Sequence, residues 1–212
     1  MIYFTTPVVA ARPALRAGRL GVIATPKQGN LIPDYPIRCI DNGCYGQGWP
    51  GPDEYRTFLQ QMAAIPGGVW HFAAAPDVVG DAEATLERSK PWLPVIADLG
   101  FPVAFVAQDG IEHIRVPWSQ ISVLFLGGTD SFKLGPSGRA AAAEALTRGK
   151  RVHMGRVSSL KRTRIARHMG CTSVDGRYIQ FRWPELGTAE VEGWLRDVHN
   201  QPTLFDDLGD TA

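Results

Sequence analysis

The chain has 212 residues, 44% of them hydrophobic and 20% charged, enough for one sizeable core. A formal net charge of +1 leaves any nucleic-acid surface to local clustering rather than to the total. No apolar run approaches the ~20 residues of a membrane span, and three cysteines (Cys39, Cys44, Cys171) without CxxC spacing speak against a zinc module or a disulfide frame. A reducing, cytoplasmic setting is therefore expected. Met1 to Pro7 reads as a strand entering a core, with no basic region ahead of an apolar run, so no signal peptide is expected.

In chain order, eight short β-rich runs stand out: Ile2–Thr5, Leu20–Thr25, Pro36–Asp41, Val69–Ala75, Val103–Gln108, Ser122–Gly127, Arg151–Arg156 and Cys171–Asp175. Most are apolar nearly throughout, the pattern of parallel strands covered on both faces. Helical segments separate them from the third strand onward. Pro52 suits a first helical turn, with Tyr55, Phe58, Leu59 and Met62 on one face. Asp81 is a cap for a helix that Pro91 and Pro94 must break or restart, and Ala140–Leu146 is strongly helical with a stop at Gly149. Ser158 is expected to cap a helix to Met169, and Thr188 another carrying Val191, Trp194, Leu195 and Val198. Strand–helix alternation with eight strands predicts a compact (β/α)8 TIM-type barrel over residues 1–200, its first two crossovers reduced to loops, followed by a tail over 201–212. An open doubly wound sheet is the fold alternative, disfavoured because no GxGxxG follows the first strand.

Barrel chemistry sits where strands run out at the C-terminal face. Those positions read Asp41-Asn42-Gly43, Pro76-Asp77, Gln108-Asp109-Gly110, Gly127-Gly128-Thr129-Asp130, His153-Met154-Gly155-Arg156 and Asp175-Gly176. Any single aspartate here is most simply a loop starter or helix cap; the convergence of six strand ends is what points to catalysis. Two separated carboxylates suit cleavage of a glycosidic bond, and strand-end glycines such as Gly127 and Gly128 let backbone N–H groups approach a ligand. Tyr45 and Met154 are candidates to sandwich a flat base, core packing being the plainer reading of a strand methionine.

These segments, in this order, resemble the tRNA-guanine transglycosylase superfamily. Asp41-Asn42-Gly43-Cys44-Tyr45-Gly46 is similar to its D-S-G-G-F-Q, Phe105 to Gly110 to its G-I-V-Q-G-G, Leu126-Gly127-Gly128-Thr129 to its I-G-G-L, and His153 to Val157 to its M-G-V-G. Gly170 to Asp175 falls where that family has the strand ending in its catalytic aspartate. The resemblance implies a pentosyltransferase without metal or redox cofactor, in which Asp175 is the nucleophile and Asp41 the general acid/base. It further implies that Asp77, Gln108 and the Gly128 backbone hydrogen-bond the guanine edge, while Tyr45 and Met154 hold the ring faces. The tRNA enzymes' zinc-binding cysteines and histidine have no counterpart here, the usual insertions are missing, and Cys44 stands at the second glycine of D-S-G-G. Those departures point to the short, bacteriophage-type DNA-guanine transglycosylases, which insert 7-deazaguanine bases such as preQ0 into DNA.

Lys161, Arg162, Arg164, Arg167 and His168, with Lys150, Arg151 and Arg156 upstream, form a basic cluster fit for phosphates or simply for solvation. Arg156 is the preferred phosphate contact and Arg177 and Arg182 weaker ones. Gln201-Pro202-Thr203-Leu204-Phe205 resembles the Q-x-x-L-F peptide that binds bacterial sliding clamps. Three other readings stay open: a tRNA-directed enzyme of the same chemistry, a non-catalytic nucleic-acid-binding barrel subunit, and a barrel enzyme binding a small sugar phosphate through Gly127-Gly128.

Overall fold

Eight parallel strands close into a barrel, each hydrogen-bonded to its sequence neighbours and β1 to β8. They are β1 (Ile2–Thr5), β2 (Gly21–Ala24), β3 (Ile37–Ile40), β4 (Val69–Ala74), β5 (Val103–Ala107), β6 (Val123–Leu126), β7 (Arg151–Met154) and β8 (Ser173–Asp175). The computed structural model describes residues 1–28, 35–46, 48–199, 201 and 203.

Most strands are buried on both faces, which is why few of their sequences show a polar alternation. The inner face carries Phe4, Ile23, Cys39, Phe72, Ala74, Ala104, Val106, Val123 and Phe125. The larger outer face packs Tyr3, Val22, Ile40, Leu124, Val152, Met154 and Val174 against the surrounding helices. At mid-height the rings of Phe4, Phe72, Phe125 and His153 meet edge-on or tilted, with centroids 4.4 to 6.0 Å apart. A Cβ at Gly21 would lie 2.4 Å from the Phe4 ring, so glycine makes room for that packing. Arg38 is fully buried on the outer face of β3, in register with Val22. Its Nε donates to the Tyr35 carbonyl (2.6 Å) and its Nη2 to the Pro66 carbonyl (3.1 Å), and its guanidinium lies 5.3 Å from the Trp70 ring centroid.

The helices fall largely where the sequence puts them. α2 (Pro52–Ala63) begins at Pro52, and α3 (Ala82–Ser89) is capped by Asp81, whose carboxylate accepts from the Ala84 N–H. The proline-rich stretch restarts as α4 (Trp92–Asp98). α5 (Asp130–Leu134) and α6 (Pro136–Thr147) follow β6, and Gly149 lies beyond α6 at φ +67°. Three expectations need correction. The first crossover is not a bare loop but holds a 3-10 turn (Val9–Ala11) and α1 (Arg12–Arg16). α7 (Leu160–His168) is capped by Ser159 rather than Ser158, because the Ser159 hydroxyl is the one that accepts from the Arg162 N–H (3.3 Å). After α8 (Tyr178–Phe181), the last helix, α9 (Pro184–His199), starts four residues before Thr188, which therefore lies inside the helix and does not cap it.

Candidate active site

A cavity of about 530 Å³ opens at the C-terminal ends of the strands. Asp41, Asp77 and Asp175 all line it, with Asn42, Tyr45, Gln108, Gly127, Gly128, Gly155 and Arg156. Three aspartates thus converge, and each sits in a different environment.

Asp175 ends β8 and is 16% exposed. Its Oδ1 lies 3.0 Å from His153 Nε2, and its Oδ2 accepts from the Arg156 backbone N–H at 3.3 Å. His153 Nδ1 is in turn 2.9 Å from the Ser173 hydroxyl. An ionised carboxylate only accepts, so Nε2 carries the hydrogen toward Asp175, and in the neutral ring the Ser173 hydroxyl donates to Nδ1. The strand register builds this stack. His153 pairs with Ser173 across β7 and β8, and Asp175 lies two residues along on the same inward face.

Asp41 directly follows β3 and accepts from the backbone N–H groups of Gly43 and Asn42. Burial first, then the charges of Asp175 and Asp77, push its pKa up to about 7. Asp77 is buried and is also raised, chiefly by burial. Its Oδ1 accepts from Asn42 Nδ2 (2.8 Å) and its Oδ2 from Gln108 Nε2. Gln108 Oε1 accepts from the Gly80 N–H (2.9 Å), which fixes the amide's orientation. Asn42 Nδ2 is shared with the Ala75 carbonyl, and Asn42 Oδ1 accepts from the Cys44 N–H. The buried amides therefore hold the Asp77 carboxylate in place, and Gln108 is more a positioning group than the sequence suggested.

Gly127 and Gly128 line the cavity as expected; Gly128 has φ +59°, and a Cβ there would lie 2.4 Å from Phe132. Tyr45 is 61% exposed at the rim, with the Arg156 guanidinium 4.3 Å from its ring centroid. Met154 is a correction. It is fully buried on the outer face of β7 among core side chains and does not line the cavity, because the inward positions of that strand belong to Arg151 and His153. His153 was overlooked as a site residue. The polar alternation of Arg151 and His153, matched by Ser173 and Asp175, is the signal that marks both strands' inner faces.

Of the basic cluster, Arg156 reaches the cavity; its side chain donates to the Gly128 carbonyl, and its backbone adopts φ +60°. Arg162 pairs with Asp130 and donates to the Arg156 carbonyl (3.2 Å), which braces that loop. Arg164 is paired with Asp197 of α9 at 2.9 Å, while Lys161 is exposed on α7. Fully buried Lys133, also unanticipated, donates to the Gly155 carbonyl at 2.8 Å and pairs with Asp130 at 3.2 Å. The other strand-end aspartates are structural: Asp109 accepts from the Thr129 N–H (2.8 Å) and hydroxyl (2.5 Å), and Asp130 takes the two cations just named. Of the proposed clamp peptide, Pro202, Leu204 and Phe205 lie outside the described residues. Among the described residues no cluster of His, Cys, Asp and Glu is arranged for a metal ion, and no helix is long and apolar enough to cross a membrane.

Fold and site together define a (β/α)8 barrel with a carboxylate-lined well at the C-terminal face. No family model matches the chain, and no curated protein matches it. Among solved structures it is similar to flavocytochrome b2: an arginine-to-lysine variant (12% identity, TM-score 0.56), a double variant with sulfite bound (12%, 0.58) and a leucine-to-alanine variant with benzoylformate (13%, 0.58). Each match covers 92% of this chain and 62% of the other, so this chain spans about three fifths of those proteins. At such identity the likeness is one of fold.

Proposed function

We propose that this barrel is a DNA-guanine transglycosylase, exchanging guanine in DNA for a 7-deazaguanine base. The observation that carries the reading is that Asp41 and Asp175 line one cavity in unlike environments, beside a third, buried carboxylate. Asp175, held from two sides by hydrogen bonds, attacks the anomeric carbon as the bond to guanine breaks. Asp41, poised near pH 7, gives its proton to the departing base. The product is a sugar esterified to Asp175 and a free guanine. Asp41, now a carboxylate, takes the ring N–H proton of the incoming deazaguanine, whose nitrogen attacks the same carbon and releases Asp175. Two inversions give net retention, with no metal or redox partner in the balance.

Asp77 and the Gly128 backbone hydrogen-bond the base edge, with Gln108 holding the Asp77 carboxylate in place. A buried carboxylate suits the adjacent N–H donors of a guanine-type ring. Tyr45 is left as the ring-face partner, since Met154 lies in the outer core. The mouth's cations, Arg156 foremost, suit phosphates. The test is incubation of the protein with DNA and preQ0, followed by mass spectrometry of the digested nucleosides, with tRNA in parallel. A 7-deaza-2′-deoxyguanosine product from DNA alone is the expected result; exchange only into tRNA, or none, overturns it.

A further inference from the structure

α8 and its flanks carry a feature that the exchange chemistry does not use. Phe181 is 75% exposed and Trp183 is 80% exposed. Their neighbours are firmly anchored. Ile179 is fully buried, Tyr178 packs on Trp194 at 4.6 Å and donates to Glu190 at 2.6 Å, and Gln180 donates to Thr6. Two of the three rings of an anchored segment are therefore turned to water. The Arg177 guanidinium lies 4.7 Å from the Phe181 ring centroid, and Arg177 and Gln180 both line the cavity. The platform is thus continuous with the well that holds Asp175.

From these contacts we infer that Phe181 and Trp183 form a stacking platform for unpaired bases of single-stranded DNA running into the well; the inference rests on the proposed function. Base faces are free to stack on protein rings only where the strand is not already stacked in a duplex. Tyr45 with Arg156 repeats the arginine-on-aromatic arrangement on another loop of the same mouth. Each pair offers a ring face to a base and a guanidinium to the adjoining phosphate. A platform of this kind selects the single strand before any base is recognised.

Anisotropy of a labelled oligothymidylate of about 12 nucleotides, which lacks guanine, tests the platform apart from the chemistry. The wild-type protein is expected to bind it more tightly than a duplex of equal length. Phe181→Leu and Trp183→Leu, which keep apolar bulk without a ring, are each expected to weaken binding roughly 5- to 150-fold. Phe181→Tyr and Trp183→Phe are expected to retain it. Unchanged affinity in both leucine variants, a preference for duplex or for tRNA, or a dimer in sedimentation that Trp183→Leu dissociates would each overturn the inference. Ring-dependent binding without guanine exchange would leave the platform standing and remove the transglycosylase; exchange with ring-independent binding would do the reverse.

Discussion

His153 Nε2 lies 3.0 Å from Asp175 Oδ1, inside a cage formed by Phe4, Phe72 and Phe125. An imidazole with no exposed surface and aromatic walls has one orientation available, so it fixes the carboxylate that it touches. Ser173 completes the arrangement by hydrogen-bonding the other ring nitrogen at 2.9 Å, which holds the ring's orientation.

His153→Leu removes the donor while filling much of the space. It is expected to lower kcat about 10- to 100-fold, the worth of a hydrogen bond to a charged group, with KM for the free base unchanged. His153→Gln, which can still place an N–H near Asp175, is expected to recover part of the loss. Steady-state exchange of labelled guanine checks both.

Asp175→Ala is expected to abolish exchange, and Asp41→Ala to do so with the fold intact by circular dichroism. Full activity in either variant would refute the assigned roles. A covalent protein–DNA adduct should be absent from Asp175→Ala and should accumulate in wild type when the second base is withheld.

The raised pKa of Asp41 has a signature in stability. Below its ordinary value of 3.8, folded and unfolded chains both hold the proton and the group costs nothing. Between there and about 7 the folded protein keeps a proton that the unfolded chain has lost, so stability falls as pH rises, then levels off. Asp41→Asn escapes this cost. Its gain in Tm over wild type is expected to be absent near the lower limit, to grow to about pH 7, and to stay constant above. The first half-reaction is expected to slow as pH rises past about 7, because the acid form of Asp41 is lost there.

Lys133→Met leaves the Gly155 carbonyl without its buried donor and takes one of two cations from Asp130. A loss of about 1–3 kcal/mol is expected in urea unfolding. Because Gly155 and Arg156 flank the Asp175 carboxylate, exchange should fall further than stability alone accounts for.

Gly155→Ala would set a Cβ 2.6 Å from the Phe125 ring and 3.3 Å from Asp175 Oδ1. Overpacking of that kind costs about 1–3 kcal/mol. Exchange is expected to be lost while the protein stays folded, which thermal melts beside activity assays will separate.

All eight strands were legible in the sequence because most are short apolar runs, and each is closed by a polar or glycine-rich end. The three site aspartates were legible as strand ends for the same reason. Which side of each strand faces inward was harder, since parallel strands buried on both faces carry little alternation. β7 is the exception, because Arg151 and His153 alternate there, yet the strand-end position of Met154 and the family resemblance drew attention to the methionine and left His153 without a role. Lys133 escaped notice because a lysine in a helix reads as solvated, and only the tertiary fold brings it beneath the Gly155 carbonyl. Ser158 and Ser159 are equivalent as caps by residue type, and the turn geometry alone separates them.

The ring layer of Phe4, Phe72, Phe125 and His153 beneath the cavity makes the cylinder a blind well. Under the proposed exchange, one doorway has to serve both purines. The spent base must clear it before its replacement can land, so the order of events is set by plumbing as much as by chemistry. An excess of free guanine should therefore jam the passage and compete with preQ0 for the glycosylated enzyme.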